Sequence, residues 1–273
     1  MIITVNIENT NINISGYRGD EICFLGSTEA DNKKTVLDYI LLFKSILNYY
    51  SVANENIEGG IISSVVPNLT EKIQIAWREI SGKEFMILGP GIKTGLSILT
   101  DNPAERGNDL VACCTGAVNI MDGPLMVISM GIATSICIIN EKNQYIGGMI
   151  FPGVGISLDA LCEHAAKLNQ VRIDVPKHFI GTNTEQALRS GIIYGNASCI
   201  DGMVDRAEEE LGVKLKVIAT GEYASKIIPY CRKNIVIDPN LLSNGLKVIY
   251  DRNIILKKGS SHKNTKYRKS DTI

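Results

Sequence analysis

Several features are scarce in this sequence, and each scarcity excludes something. Neither sign of charge dominates: 28 Lys and Arg stand against 29 Asp and Glu over 273 residues, a net charge of -1. Composition therefore gives no electrostatic case for nucleic acid or a membrane surface as partner. Proline is sparse, with 8 residues beside 25 glycines, while apolar residues make up 45% and charged ones 21%. Disorder, collagen and coiled coil are thereby excluded for the chain as a whole. The seven cysteines are odd in number, include no C-x-x-C pair and mostly lie in apolar runs, which reads as reduced thiols in a core. No apolar run reaches the roughly 18 residues of a membrane span, and Met1-Ile2-Ile3-Thr4 carries no basic leader. Neither secretion nor membrane insertion is expected, and the expected compartment is the cytoplasm.

What is present is enough chain for two domains of about 100 to 150 residues. Its charge is uneven. From Lys257 onward six cations face one acid, so the remainder holds 22 cations against 28 acids. With Ser, Lys and Asn and no apolar period, 257–273 reads as a solvated, disordered tail, with weak phosphate binding as the alternative.

The pattern predicts a β-branched strand at 2–6, a second through Ile12, Ile14 and Tyr17, and a third at 22–25. An amphipathic helix is expected over 32–50 with Asp31 or Asn32 as cap, then strand 60–65, helix 67–80, strand 85–88 and a helix from about Pro103. After Asp122-Gly123-Pro124 the same βββαβαβα order begins again, with strands at 125–129, 134–139 and 145–150. Helical segments at 157–168 and 184–211, strand 215–219, helix 223–229, strand 234–238 and helix 241–252 follow. Laying Asn6 on Ser129, an offset of 123, matches the polar turn NIENTN to SMGIAT. The chain therefore reads as an internal duplication, domains 1–122 and 123–256, with two halves facing across a cleft. Such turns present backbone N–H groups and small hydroxyls that can cradle phosphate.

Seven segments in order, among them ISSVVPNLT (62–70), GPGIKTGLSI (89–98), DNPAERGND (101–109), GGMIFPG (147–153), ATGEYA (219–224) and LLSNGLKVIYDRN (241–253), resemble the type III pantothenate kinases. These belong to the acetate and sugar kinase, heat-shock protein and actin superfamily. The resemblance implies two duplicated ribonuclease H-like (actin-like ATPase) α/β domains and transfer of phosphate from ATP to the primary hydroxyl of pantothenate. It implies Asp109 as catalytic base and Gly107, Asn108, Asp109, Leu110 and Thr184 as the substrate pocket. Asn6, Asn9, Thr10, Asn11, Gly131, Ile132 and Thr134 are implied as ATP contacts, and Ser129 as the monovalent-cation position. ATP, Mg2+, K+ or NH4+ and a homodimer come with the family.

The chain departs from the family at informative places. The D-x-G-N-T-N motif reads Asn6-Ile7-Glu8-Asn9-Thr10-Asn11, so a Mg2+-organising carboxylate is lost and Glu8 stands where backbone would approach phosphate, either repelling it or supplying the carboxylate from two residues away. D-x-G-T-A-T reads Ser129-Met130-Gly131-Ile132-Ala133-Thr134, the adenosine-side T-G-G has become Thr220-Gly221-Glu222, and Arg is replaced by Leu110, removing a guanidinium suited to a carboxylate. Thr182 and Glu185 also match a T-x-x-E capping box. Three functions follow: a pantothenate kinase, weakened or not; a non-catalytic relative that binds a metabolite and regulates; or a kinase for another small hydroxyl compound.

Overall fold

The computed structural model describes residues 1–103, 106–165 and 168–267, with side chains described to residue 256. In chain order the strands are β1 (Ile2–Ile7), β2 (Asn11–Arg18), β3 (Glu21–Glu29), β4 (Gly59–Ser64), β5 (Met86–Ile87), β6 (Ser97–Ile98), β7 (Leu125–Met130), β8 (Ala133–Ile139), β9 (Gln144–Pro152), β10 (Lys216–Thr220) and β11 (Ile235–Ile237). The helices are α1 (Val36–Tyr49), α2 (Pro67–Ser81), α3 (Asn108–Ile120), α4 (Val154–His164), α5 (Thr184–Leu211), α6 (Ala224–Ile227) and α7 (Leu241–Tyr267).

Packing divides the chain into Met1–Gly95 with Ala104–Gly116 and Ser243–Ile273, and Leu96–Pro103 with Ala117–Leu242. This differs from the linear cut expected at 122/123. The second half ends by giving its last helix to the first unit, where Tyr17 on β2 donates to Asn244 Oδ1 at 2.9 Å and lies 2.9 Å from Ser243 Oγ. Gly245 of α7 allows that helix to sit on α3, because a Cβ there would overlap Ala112 O and come within 3.0 Å of Gly116 N. Of the expected basic tail, residues to Tyr267 continue α7; the side chains beyond 256 and residues 268–273 lie outside the described residues.

The first unit's sheet has the order β3-β2-β1-β4-β5, with β1 antiparallel to β2 and parallel to β4. Every residue of β1 is buried, a pattern that belongs to a central strand covered on both faces. Ile3, Val5 and Ile7 share a core with Tyr39 and Phe43 of α1 and Leu69, Ile73 and Trp77 of α2. Trp77 stacks on Phe85 at 4.5 Å and meets the edge of Phe43 at 5.4 Å. The cap of α1 is Thr35, whose hydroxyl accepts from Asp38 N while Asp38 accepts from Thr35 N at 2.6 Å, a reciprocal box. Asp31 and Asn32, the expected caps, lie outside the helix because the box three residues later satisfies two orphan donors at once.

The second unit's sheet repeats this frame as β11-β10-β7-β8-β9, with β6 added beyond β9. Strand β7 occupies the place of β1, antiparallel to β8 and parallel to β10. Met126, Ile128, Ile136 and Ile138 pack against Ile193, Ala197, Ile200 and Val204 of α5. The strand and helix order expected for each half is present, with α4 and α5 filling one helical slot in the second and α3 starting at Asn108 rather than near Pro103.

Cys113, Cys114 and Cys137 are buried and none of the seven cysteines is in a disulfide, although Cys23 is exposed. Burial, with Asp201 beside it, pushes the Cys231 thiol up to about 12. Among the described residues no helix is long and apolar enough to cross a membrane.

Two helical glycines give opposite expectations. Gly202 on α5 has open space around a Cβ, so Gly202→Ala is expected to stabilise by about 0.5–1 kcal/mol through helix propensity. Gly245→Ala gains the same propensity but drives a methyl into α3, so a net loss of about 1–3 kcal/mol is expected from overpacking. Urea denaturation of both variants checks the pair, and a stabilised Gly245→Ala would contradict the α7–α3 contact.

Candidate active site

The first polar turn closes β1 onto β2. Glu8 N donates to Asn11 O at 2.8 Å, leaving Asn9 and Thr10 exposed at the tip, and Thr10 O accepts from Ala30 N at 2.8 Å. Asn11 Nδ2 donates to Thr10 Oγ1 at 3.3 Å. Asn6 is 4% exposed and its amide donates to Glu8 Oε1 at 2.8 Å. The carboxylate at position 8 is thus turned back onto the residue that the family motif would make acidic. Ser63 of β4 stands beside Asn6 in register, and its buried hydroxyl has no hydrogen-bond partner.

The second turn, between β7 and β8, is more tightly built. Gly131 N donates to Ala133 O at 3.1 Å, Gly153 N to Ile132 O at 2.9 Å, and Tyr223 N to Met130 O at 3.3 Å. Gly153 and Gly221 have no room for side chains: a Cβ at 153 would overlap the carbonyls of Gly131 and Ile132, and one at 221, where φ is +99°, would lie 2.6 Å from Met130 O. Thr134 is fully buried and its hydroxyl lacks a partner. An unpaired buried hydroxyl is costly unless a ligand completes it. Ile132 is half-exposed on the tip. Ser129 sits in one register row between Ser135 and Thr220, so hydroxyl-bearing residues line up across three strands.

The close approaches of Gly153 and Gly221 were not assigned from sequence. Their available signals were Pro152-Gly153 at the end of a strand and a glycine directly after Thr220.

Asp109 lies in the first turn of α3, where the helix dipole favours a carboxylate. The next residues outward are Gly107, where a side chain would overlap the Asp109 carboxylate, and Asn108, whose Nδ2 donates to Leu88 O at 3.0 Å. Leu110 is half-buried on the same turn. Thr184 opens α5 and is exposed. The cap there is Asn183, accepting from Gln186 N at 2.9 Å. Glu185 instead pairs with Arg189 at 2.6 Å one turn along, so the expected Thr182–Glu185 capping box does not form. The structure therefore groups Asn6 with 9–11, groups 129–134 in the equivalent turn, and groups 107–110 at the start of α3, with Thr184 on its own helix.

A cleft of about 370 Å3 lies within the second unit, lined by Gly155, Asp159, Arg172, Glu222, Tyr223 and Lys226 among others. Burial, helped by the nearby Glu222 and Asp159 charges, raises the Tyr223 phenol above its usual value. Glu222, one residue beyond the glycine that touches Met130, joins this cleft to the β7–β8 turn. Among the described residues no cluster of three or more His, Cys, Asp or Glu side chains is arranged to hold a metal ion.

Two sheets built on one repeated frame, each with a polar turn at the end of its central strand, define an actin-like ATPase-type fold. Solved structures agree: the Baf family transcriptional activator from Campylobacter jejuni superposes with a TM-score of 0.59 at 20% identity, covering 92% of this chain and 98% of that one. An activator of 2-hydroxyisocaproyl-CoA dehydratase from Clostridium difficile, solved with ADPNP, gives 0.54 at 10% identity, over 95% and 97%. The model of the type III pantothenate kinase family matches residues 2–206. The type III pantothenate kinase of Exiguobacterium sp. strain AT1b is 38% identical over 253 residues, 93% of this chain and 99% of that protein, and that of Moorella thermoacetica 35% identical over 93% and 100%. The chain belongs to the type III pantothenate kinase family.

The Asn6–Glu8 contact makes restoring the family's aspartate informative. Asn6→Asp places a second carboxylate at a buried position beside Glu8, and like charges raise the carboxyl pKa in the folded state. A raised folded pKa gives stability that is present at low pH and lost as pH rises through it. The deficit of Asn6→Asp relative to the parent is therefore expected to widen by about 1–3 kcal/mol between pH 5 and pH 8, and to lose part of that pH dependence when Glu8→Gly is added, the remainder coming from burial. A deficit that does not change with pH in urea titrations would contradict the pairing.

Proposed function

We propose that this chain transfers the γ-phosphoryl group of ATP to the primary hydroxyl of pantothenate. The observation that carries the reading is the β7–β8 turn, where Gly153 and Gly221 let neighbouring backbone pack closely and the buried Thr134 hydroxyl has no protein partner. An anion with several acceptor oxygens satisfies such a turn. Thr134 and the backbone of Gly131 and Ile132 contribute the phosphate contacts of the second unit, and Asn9, Thr10 and Asn11 those of the first. The cleft at Glu222, Tyr223 and Asp159 takes the nucleoside end, its carboxylates suited to ribose hydroxyls or a base N–H.

Asp109 acts as the base. From the first turn of α3 it accepts the hydroxyl proton as the oxygen attacks phosphorus in line. With the nucleotide bound, Mg2+ would supply neutralisation of the charge that develops on the phosphates. Mg2+ keeps several waters and needs one or two carboxylates, and Glu8, oriented by the Asn6 amide, is the carboxylate this turn offers. Its hydrogen bond supports that role over simple repulsion. A monovalent cation would be held at Ser129 by hydroxyl oxygens of the Ser129, Ser135 and Thr220 row, a neutral set in place of the family's aspartate. Gly107, Asn108, Leu110 and Thr184 contribute to the acceptor pocket, and the protein works as a cytoplasmic homodimer.

Asp109→Asn is expected to lower turnover by about 10^2- to 10^4-fold, the span of a lost general base, while ATP binding measured by calorimetry stays near the parent value. Turnover within a fewfold of the parent would remove Asp109 from the reaction.

A further inference from the structure

The segment from Leu88 to Gly95 is held at several points within the first unit. Leu88 O accepts from Asn108, the residue before Asp109, at 3.0 Å. Asn253 of α7, 8% exposed, accepts from Lys93 N and donates to Lys93 O, both at 3.0 Å, and donates to Ile249 O at 2.8 Å. Gly95, at φ +82°, has the Arg252 guanidinium where a side chain would go. One buried amide thus pins both backbone groups of Lys93, and the neighbouring residue of α7 lays its guanidinium over the same loop.

What is held in this way is cationic. Lys93 is the one charged residue between Leu88 and Asp101, and its side chain and that of Arg252 are both exposed. Among the described residues neither has a carboxylate partner. Pinning the backbone of a residue whose side chain stands in water adds little to a core. It restricts where the ammonium can reach, and a preorganised cation loses less freedom on binding an anion. A guanidinium and an ammonium carried at one loop suit a carboxylate, the first as a bidentate donor and the second as a point charge.

We propose that Lys93 and Arg252 form the binding site for the carboxylate of the acceptor, a role the apolar Leu110 cannot fill, and that Asn253 is the positioning residue that holds Lys93 in place. The proposal rests on the acceptor reading above and names the group that selects an acidic substrate. Because Leu88 is tied to Asn108, the carboxylate site and Asp109 are tied to one loop, which orients the far end of the acceptor relative to the base.

The test compares pantothenate with pantothenol, the same molecule carrying an alcohol in place of the carboxylate. For the parent, kcat/KM is expected to favour pantothenate. In Arg252→Ala and in Lys93→Ala the ratio of the two kcat/KM values is expected to fall roughly 10- to 100-fold, the scale of one charge-assisted hydrogen-bonded contact, and Arg252→Lys should recover part of it. Asn253→Ala should lower the same ratio by a smaller factor, an effect that mere loss of stability would not produce because it weakens both acceptors alike. Melting curves separate unfolding from loss of recognition, and if Asn253→Ala does not fold, Lys93→Ala and Arg252→Ala still decide. A ratio unchanged in both cation variants overturns the site while leaving the kinase reading intact. Calorimetry with each acceptor and no ATP covers the converse: pantothenate binding to the parent without turnover refutes the kinase reading, and the site then stands only if Arg252→Ala selectively weakens that binding. Parent protein that binds neither acceptor rejects both.

Discussion

The chain depends on two strands that must be buried on both faces. β1 and β7 each pair antiparallel on one side and parallel on the other, so apart from the buried Thr4 their residues are apolar until the end of the ladder, where Asn6 and Ser129 appear. Polar groups at those ends sit where the chain leaves the sheet. Ligands of open α/β sheets collect outside the carboxyl ends of strands for the same reason. Both turns, and the nucleotide reading attached to them, follow from the placement of two apolar strands.

The two turns answer their chemistry differently. Around Met130–Ile132 the chain uses absence of side chains, with Gly153 and Gly221 letting backbone close in and Thr134 left unpaired beneath. In the first turn, a carboxylate two residues late is drawn back by the amide that replaced the family's aspartate. Asn6 and Glu8 read best as one exchanged pair, in which the negative charge has moved along the strand. Two substitutions that look like separate losses in sequence are coupled in structure.

Much of the fold was legible because local signals agreed with it. Helix α2 has Pro67 at its first turn and a glycine in the left-handed conformation past its end, and the alternation through Ile12 and Ile14 fixed the hairpin. Contacts across long stretches of chain were not legible. That α7 packs with β2 and α3 depends on Tyr17 finding residues 226 and 227 positions away, and on Gly245 being small at one crossing. The caps Thr35 and Asn183 were missed because several hydroxyl, amide and carboxylate residues compete near each helix start, and only geometry selects among them. Motif matching singled out Asp109 and the two turns as candidates, but it could not show that Asn253 grips Lys93 or that Glu8 faces Asn6, since neither pairing leaves a period in the sequence.

The central claim is that this scaffold, with its exchanged carboxylate and neutral Ser129, still moves a phosphoryl group. Phosphorus NMR of the unmodified chain incubated with ATP, Mg2+, K+ and pantothenate tests it most directly. The account expects a new phosphomonoester resonance growing in step with ADP. ADP and inorganic phosphate without the ester, or an unchanged spectrum from protein that binds both ligands, would contradict it.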